Sequence, residues 1–203
     1  MADPYFFGYG SLVNLATHDF PNPQKAVLRG WRRAWRHTDL RPVAFLTAVP
    51  DPNAEIEGMI AHVPRDDWAA LDEREWAYDR VPATQSVTHP LSHAVEIAVY
   101  AVPQDKHTAP SNHHPLLLSY IDVVVQGYLR AFGLDGVDRF FATTDGWDAP
   151  ILNDREAPRY PRHQALKTAE TELVDDRLRG VSATVLQPGE PVTAGQLPAS
   201  FVF

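Results

Sequence analysis

Two short stretches carry the residue types from which an active site could be made. Residues 6–12 read FFGYGSL, in which Phe6 and Phe7 run into Gly8, Tyr9, Gly10, Ser11 and Leu12. Residues 71–82 read LDEREWAYDRVP, with Asp72, Glu73 and Glu75 crowded together and Trp76 and Tyr78 close behind. The first stretch matches neither phosphate motif: a P-loop needs G-x-x-x-x-G-K-[ST] and a dinucleotide loop G-x-G-x-x-G, and here neither the third glycine nor the lysine follows. A nucleophile elbow, G-x-S-x-G, fails because Val13 stands where its last glycine belongs. Two readings stay open on local pattern. One is a glycine turn packed on the core. The other is a strand-to-helix turn whose first N–H groups, unused inside the helix, bind an anionic or oxyanionic ligand with the Ser11 hydroxyl as an added donor.

The second stretch also has two readings. A carboxylate at a helix C-terminus, pressed against an aromatic ring, is destabilised as an anion. On that reading Glu75 beside Trp76 has a raised pKa and suits proton transfer near neutral pH. The plainer reading is a solvated acidic helix end.

The elements that must position these groups can be read from the hydrophobic pattern. Residues 5–7 form a buried strand ending at Gly8. Between Arg29 and Arg41 lie five arginines, and Trp31, Arg33 and Trp35 alternate with Arg32, Ala34 and Arg36, which predicts a strand. Its arginines read as a solvated face, with a substrate-carboxylate anchor as the functional alternative. Residues 43–50 and 54–64 read as two strands joined by a turn at Asp51-Pro52-Asn53. A short helix capped by Asp66 ends near Trp76. Residues 86–103 return to strand, broken near His89-Pro90. The best helix follows the loop at 104–115: Leu117, Tyr120, Ile121, Val124, Tyr128 and Phe132 keep helical spacing, and Gly133 stands where a C-cap belongs. A short helix, proline-punctuated coil and a final helix at 168–180 complete the chain. Strands come first and helices later, the segregation expected of an α+β fold, in a single domain over 1–203 with a helical and coil extension from about 135.

Composition narrows the function. A chain of 203 residues can bury roughly 70% of its unfolded surface. The net charge of −8 argues against a nucleic-acid partner, whose phosphates need a basic surface. There is no cysteine, which removes disulfides, thiol catalysis and thiolate metal sites. No apolar run approaches the roughly 20 residues of a membrane span, and the N-terminus lacks the basic and apolar regions of a signal peptide, so a cytoplasmic protein is expected.

Taken in order, FGYGSL, an LRGW segment, EIEGMIAHV and LDEREWAYDRV resemble the gamma-glutamylcyclotransferase family. That family carries an N-terminal YGS-type loop, a GV-type strand and an LDxxE segment with the catalytic glutamate, followed by a tyrosine. Its late helix, where a tyrosine precedes a glycine by seven residues, is similar to the segment in which Tyr120 precedes Gly127. The resemblance spans about residues 5–134. It implies a small mixed β-barrel with flanking helices, and an enzyme that cyclises a γ-glutamyl group to 5-oxoproline with release of an amine. Glu75 would be the general acid/base. Tyr9, Gly10, Ser11 and Leu12 would hold the glutamyl group through backbone N–H groups, and Tyr120 would contact substrate or simply fill a helix face. The chain departs at Leu12, where the family often has Asn, and in the short spacing from Glu75 to Tyr78. No cofactor and no metal are expected, and His113 and His114 read as loop surface. The implied partner is a small γ-glutamyl molecule, with neither nucleic acid nor membrane; a homodimer is allowed. Two other readings remain: a non-catalytic binder of a γ-glutamyl-like or other small carboxylate, and a Ser11 hydrolase. The leaving amine is not fixed by sequence. The Arg29–Arg41 cluster could read its carboxylate, and Trp147, Arg155 and Tyr160 could form a wall or lid.

Overall fold

A computed structural model describes residues 2–38, 43–110 and 114–188. The fold is mixed α+β, with a curled half-barrel sheet flanked by few helices. The sheet holds β1 (Asp3–Gly8), β2 (Gln24–Arg36), β3 (Phe45–His62), β4 (Asp79–Pro82), β5 (Val87–Thr88) and β6 (Val95–Ala101) in the order β4-β6-β1-β3-β2-β5. β1 is central, antiparallel to β3 and parallel to β6.

The apolar run of β1 explains that placement, because a strand paired on both edges and covered on both faces needs apolar residues in both directions. Tyr5 and Phe7 enter the main core, whereas Phe6 turns to a smaller cluster with Leu12, Ala61, Val63, Leu71 and Tyr100. Leu71 belongs to α1 (Ala69–Arg74), so the smaller cluster docks this six-residue helix beside the end of β1. The cap differs from expectation: the N-cap is Trp68, which makes no side-chain cap hydrogen bond, and Asp67 just before it accepts the Ala69 N–H at 3.2 Å.

The expected hairpin turn at 51–53 is not formed. β3 runs straight on and pairs with β2 from Gln24↔Ile60 to Arg36↔Phe45, and residues 51–54 bulge opposite the single Gly30. Both halves of β3 therefore extend in one direction along one partner.

Helix α2 (Leu118–Ala142) follows a short strand, β7 (Leu116–Leu117), and breaks at Gly133, whose φ of 72° only glycine adopts readily. The first helical stretch thus ends at Gly133, where the sequence places its C-cap, and the short helix expected after it follows directly. β8 (Thr144–Asp145) adds to β2, and β9 (Ile151–Leu152) pairs in parallel with β7 and with β10 (Val185–Leu186). Between them α3 (Thr168–Gly180) sends Val174 and Leu178 into the same core as Val137, Phe140, Trp147 and Ile151. Among the described residues no helix is long and apolar enough to cross a membrane.

Candidate active site

β1 ends in a tight turn that lines a small cleft, open to solvent at its mouth. Gly10 precedes a single turn of 3-10 helix, Ser11–Val13, whose internal hydrogen bonds begin with the Val13 N–H on the Gly10 carbonyl, 3.0 Å. The preceding N–H groups of Ser11 and Leu12 lie ahead of that ladder, the Ser11 backbone being hydrogen-bonded with the Tyr120 hydroxyl. The Leu12 side chain fills the smaller core, so this position offers the cleft its backbone. Leucine at this position is therefore compatible with a turn that binds through its backbone.

Several buried contacts lock the loop. The Arg33 guanidinium donates to the Tyr9 carbonyl from Nε at 3.2 Å, to Thr143 Oγ1 at 2.6 Å and to the Tyr128 hydroxyl at 2.5 Å, and also engages the Glu57 carbonyl. It packs over the Tyr128 and Phe140 rings. From the other side, Asn14 Nδ2 donates to the Val123 carbonyl and to Gln126 Oε1, both at 3.0 Å. Here α2 comes so close that a Cβ on Gly127 would lie 2.7 Å from Asn14 N. Tyr120, two helical turns earlier, faces the same loop: a Cβ on Gly10 would meet its hydroxyl at 2.6 Å. The seven-residue spacing of Tyr120 and Gly127 thus matches one helix face laid along the loop.

Glu75 reaches the cleft from the other direction. It caps α1 with its N–H on the Leu71 carbonyl at 2.9 Å, and the buried Leu71 fixes the helix beneath it. Its carboxylate is 16% exposed and pairs with Arg74, Nε to Oε1 at 3.2 Å. Trp76, expected to bury Glu75, instead points outward and is 58% exposed.

The remaining ionisable groups on the cleft wall are the phenols of Tyr9, Tyr78, Tyr100 and Tyr120. Burial, and then the Glu75 charge, push Tyr9 upward; its hydroxyl donates to the Tyr100 carbonyl at 2.6 Å and accepts from Ala48 N at 3.0 Å. Burial pushes Tyr120 well above its usual range, with Tyr160, Glu75 and Tyr9 adding to the effect and a Ser11 backbone hydrogen bond opposing it. Burial likewise raises Tyr100, whose hydroxyl donates to Asp72. These three phenols stay neutral near pH 7. Tyr78 donates to the Leu46 carbonyl at 2.9 Å.

All six residues expected from sequence, Tyr9, Gly10, Ser11, Leu12, Glu75 and Tyr120, line this one cleft. Tyr100 and Arg74 were not anticipated. Arg74 is nearly buried and links Glu75 to Ser11 and Thr17, but in sequence it looks like one more charge on a charged helix end. The arginine-rich strand divides its charges: Arg29 pairs with Glu55 at 3.5 Å, Arg32 with Asp145 at 2.6 Å, and Arg33 turns into the core. None of these three lines the cleft. Arg41 and His113 lie outside the described residues, and His114 stacks on His37 with ring centroids 3.6 Å apart. Of the supposed wall, Trp147 is core, stacked on Phe141, and Arg155 pairs with Asp122 and Asp175. Tyr160 packs edge-on against Tyr120, 5.0 Å between centroids.

The sequence profile described as gamma-glutamyl cyclotransferase, AIG2-like matches residues 6–119, more than half of the chain. Among solved structures, one described as gamma-glutamyl cyclotransferase superposes with a TM-score of 0.54 at 13% identity, over 85% of this chain and 98% of its own. The Homo sapiens protein LOC79017 gives 0.54 at 13% identity, over 84% and 97%. YkqA from Bacillus subtilis gives 0.53 at 18% identity, over 68% of this chain and 53% of its own. At such identities the superpositions speak for the fold. No curated protein sequence matches the chain.

Proposed function

Because the chain belongs to the gamma-glutamyl cyclotransferase, AIG2-like family, we propose that it cyclises a γ-glutamyl compound to 5-oxoproline and releases the amine. The observation that carries this reading is the meeting of Glu75 and the Gly10–Leu12 turn in one cleft. A carboxylate that can move a proton and a row of backbone donors that can hold an oxyanion are the two functions the reaction requires.

The α-amine of the glutamyl group attacks its own γ-carbonyl. Both reactants belong to one molecule, so much of the barrier is overcome by holding a folded, near-attack shape. Glu75 accepts the proton lost by the α-ammonium. The turn's N–H groups and the Ser11 hydroxyl stabilise the oxyanion that forms on the γ-carbonyl oxygen. As the C–N bond to the leaving group breaks, Glu75 returns the proton to that nitrogen, and the attacking nitrogen loses its second proton to water as the lactam N–H forms. The neutral Tyr120 hydroxyl, held against Gly10 and hydrogen-bonded with the Ser11 backbone, serves as a further hydrogen-bonding group beside the loop.

The first proton transfer is uphill in water. An α-amine titrates near ~8 and a free glutamate near ~4.3, a gap of roughly 5 kcal/mol at about 1.4 kcal/mol per unit. Removing the ammonium's hydration in the cleft narrows the gap, since desolvation disfavours the charged form.

Incubation with glutathione, γ-glutamyl amino acids and γ-glutamyl amines, followed by mass-spectrometric measurement of 5-oxoproline, tests the proposal. Enzyme-dependent 5-oxoproline from at least one of the three classes is the expected result. Its absence across the panel would overturn the catalytic reading.

A further inference from the structure

Arg74 stands between the two halves of the cleft. Its side chain is only 7% exposed. Nε faces Glu75 Oε1 at 3.2 Å, Nη1 donates to the Thr17 carbonyl at 3.0 Å, and Nη2 reaches Ser11 Oγ at 3.1 Å and Thr17 Oγ1 at 3.3 Å. One guanidinium fork thus grips the carboxylate of one half and the hydroxyl of the other. We propose that Arg74 is a positioning residue for the cyclisation, aiming the Ser11 hydroxyl at the substrate and holding the Glu75 carboxylate in place opposite it.

The argument for Ser11 is one of hydrogen-bond direction. A hydroxyl oxygen that accepts from a guanidinium must turn its own hydrogen elsewhere. With Arg74 on one side and the cleft on the other, Ser11 presents its O–H to the ligand. The Thr17 hydroxyl braces the arrangement from below, 3.0 Å from the Ser11 carbonyl and 2.9 Å from that of Asn14.

The argument for Glu75 is one of charge. A fixed cation beside a carboxylate favours the ionised form. The other ionisable groups on the cleft wall are Tyr9 from the loop, Tyr78 after α1, Tyr100 from β6 and Tyr120 from α2. Tyr9, Tyr100 and Tyr120 are held neutral. On the far side of Arg74 lies His18, which burial holds below its usual range. Arg74 therefore supplies a formal positive charge beside the Glu75 carboxylate, 3.2 Å from Oε1. A lysine could keep the charge but would lack the planar fork that spans both halves.

This inference rests on the cyclotransferase reading, but its test separates the two. Arg74→Met should move the acidic limb of the kcat/KM–pH profile upward by about one unit. It should also lower kcat roughly a hundredfold, with less change in KM. Arg74→Lys should restore the limb while recovering only part of kcat, and adding Ser11→Ala to it should cost little more than Arg74→Lys alone. A carbon-13 titration of the Glu75 carboxylate reads the same effect without turnover: its midpoint should rise in Arg74→Met and return in Arg74→Lys. If Arg74→Met does not fold, the Arg74→Lys series carries the test alone. An unmoved Glu75 midpoint or pH limb, or full kcat in Arg74→Lys, would overturn the role of Arg74 and leave the cyclotransferase reading standing. A wild-type protein that makes no 5-oxoproline would overturn the reaction, and with it this role.

Discussion

The turn after β1 and the end of α1 face each other across one cleft but are held in opposite ways. The turn is gripped from several sides by buried groups: Arg33 and Tyr128 on the Tyr9 carbonyl, Asn14 on α2, and the close approach at Gly127. The glutamate side is a six-residue helix anchored by Leu71 and by Arg74, with Trp76 left in solvent. One half of the site is part of the core. The other is a short helix attached to it by a few side chains, among them Leu71, Arg74 and Asp72, whose carboxylate accepts from the Tyr100 hydroxyl. Changes in the turn should therefore register first as lost stability, and changes around α1 first as lost turnover.

Leu71→Ala should have the largest effect, about 3 kcal/mol of stability from a buried leucine, with a further loss of turnover because Glu75 is carried on the same helix. Urea denaturation and 5-oxoproline release, measured on one sample, check it. Turnover falling no further than the folded fraction would remove the contrast between the halves. Gly127→Ala should cost about 2 kcal/mol, since its new methyl meets the Asn14 backbone, while the folded fraction keeps most of its kcat. A collapse of kcat in protein still folded would show that the turn is as delicately placed as the glutamate.

A smaller effect is expected from pH. Burial, and then the Arg74 charge, hold His18 below its ordinary pKa against the pull of the Leu12 carbonyl and Asp19. Its Nδ1 accepts from Phe20 N at 3.2 Å, so the proton sits on Nε2, 3.0 Å from the Leu12 carbonyl. The folded state binds a proton less readily than the unfolded chain. The resulting stabilisation is full above the unfolded pKa of ~6.5 and is lost as pH falls below it through the depressed folded value. His107 is shifted in the same direction, mainly by burial. Denaturation midpoints should drop between pH 7.5 and pH 5, and His18→Gln should flatten part of the drop. A slope left unchanged by that substitution would place the effect elsewhere. Smallest of all, Trp76→Ala should change stability by less than about 0.5 kcal/mol and leave the acidic limb of the rate profile in place, as befits an exposed ring. A displaced limb would restore the view that this ring tunes Glu75.

The sequence made some of this legible. The buried strand at 5–7 was legible in its run of aromatics, and the Tyr120–Gly127 pair in the resemblance of the late helix to the family's; the structure sets Tyr120 in the cleft and Gly127 against the Asn14 backbone of the loop. The straight course of β3 was hidden, because Asp51-Pro52-Asn53 has the chemistry of a turn and only pairing along all of β2 turns it into a bulge. Arg33 and Arg74 were hidden for a related reason. Charged residues are seldom fully buried unless paired, and the groups that satisfy these two come from distant segments: Tyr9, Tyr128 and Thr143 for one, Ser11 and Thr17 for the other. Trp76 misled in the opposite sense, as adjacency to Glu75 in sequence says nothing of which way a ring turns after a helix ends.

The most direct test of the account compares wild type with Glu75→Gln in single-turnover formation of 5-oxoproline, using whichever γ-glutamyl substrate the wild type accepts. The variant keeps the side chain's shape and loses its ability to carry a proton. It should melt cooperatively, still show substrate-dependent thermal stabilisation, and form product at least about a thousandfold more slowly. Product formation within about threefold of wild type, in protein shown to be folded, would contradict the assignment of proton transfer to Glu75.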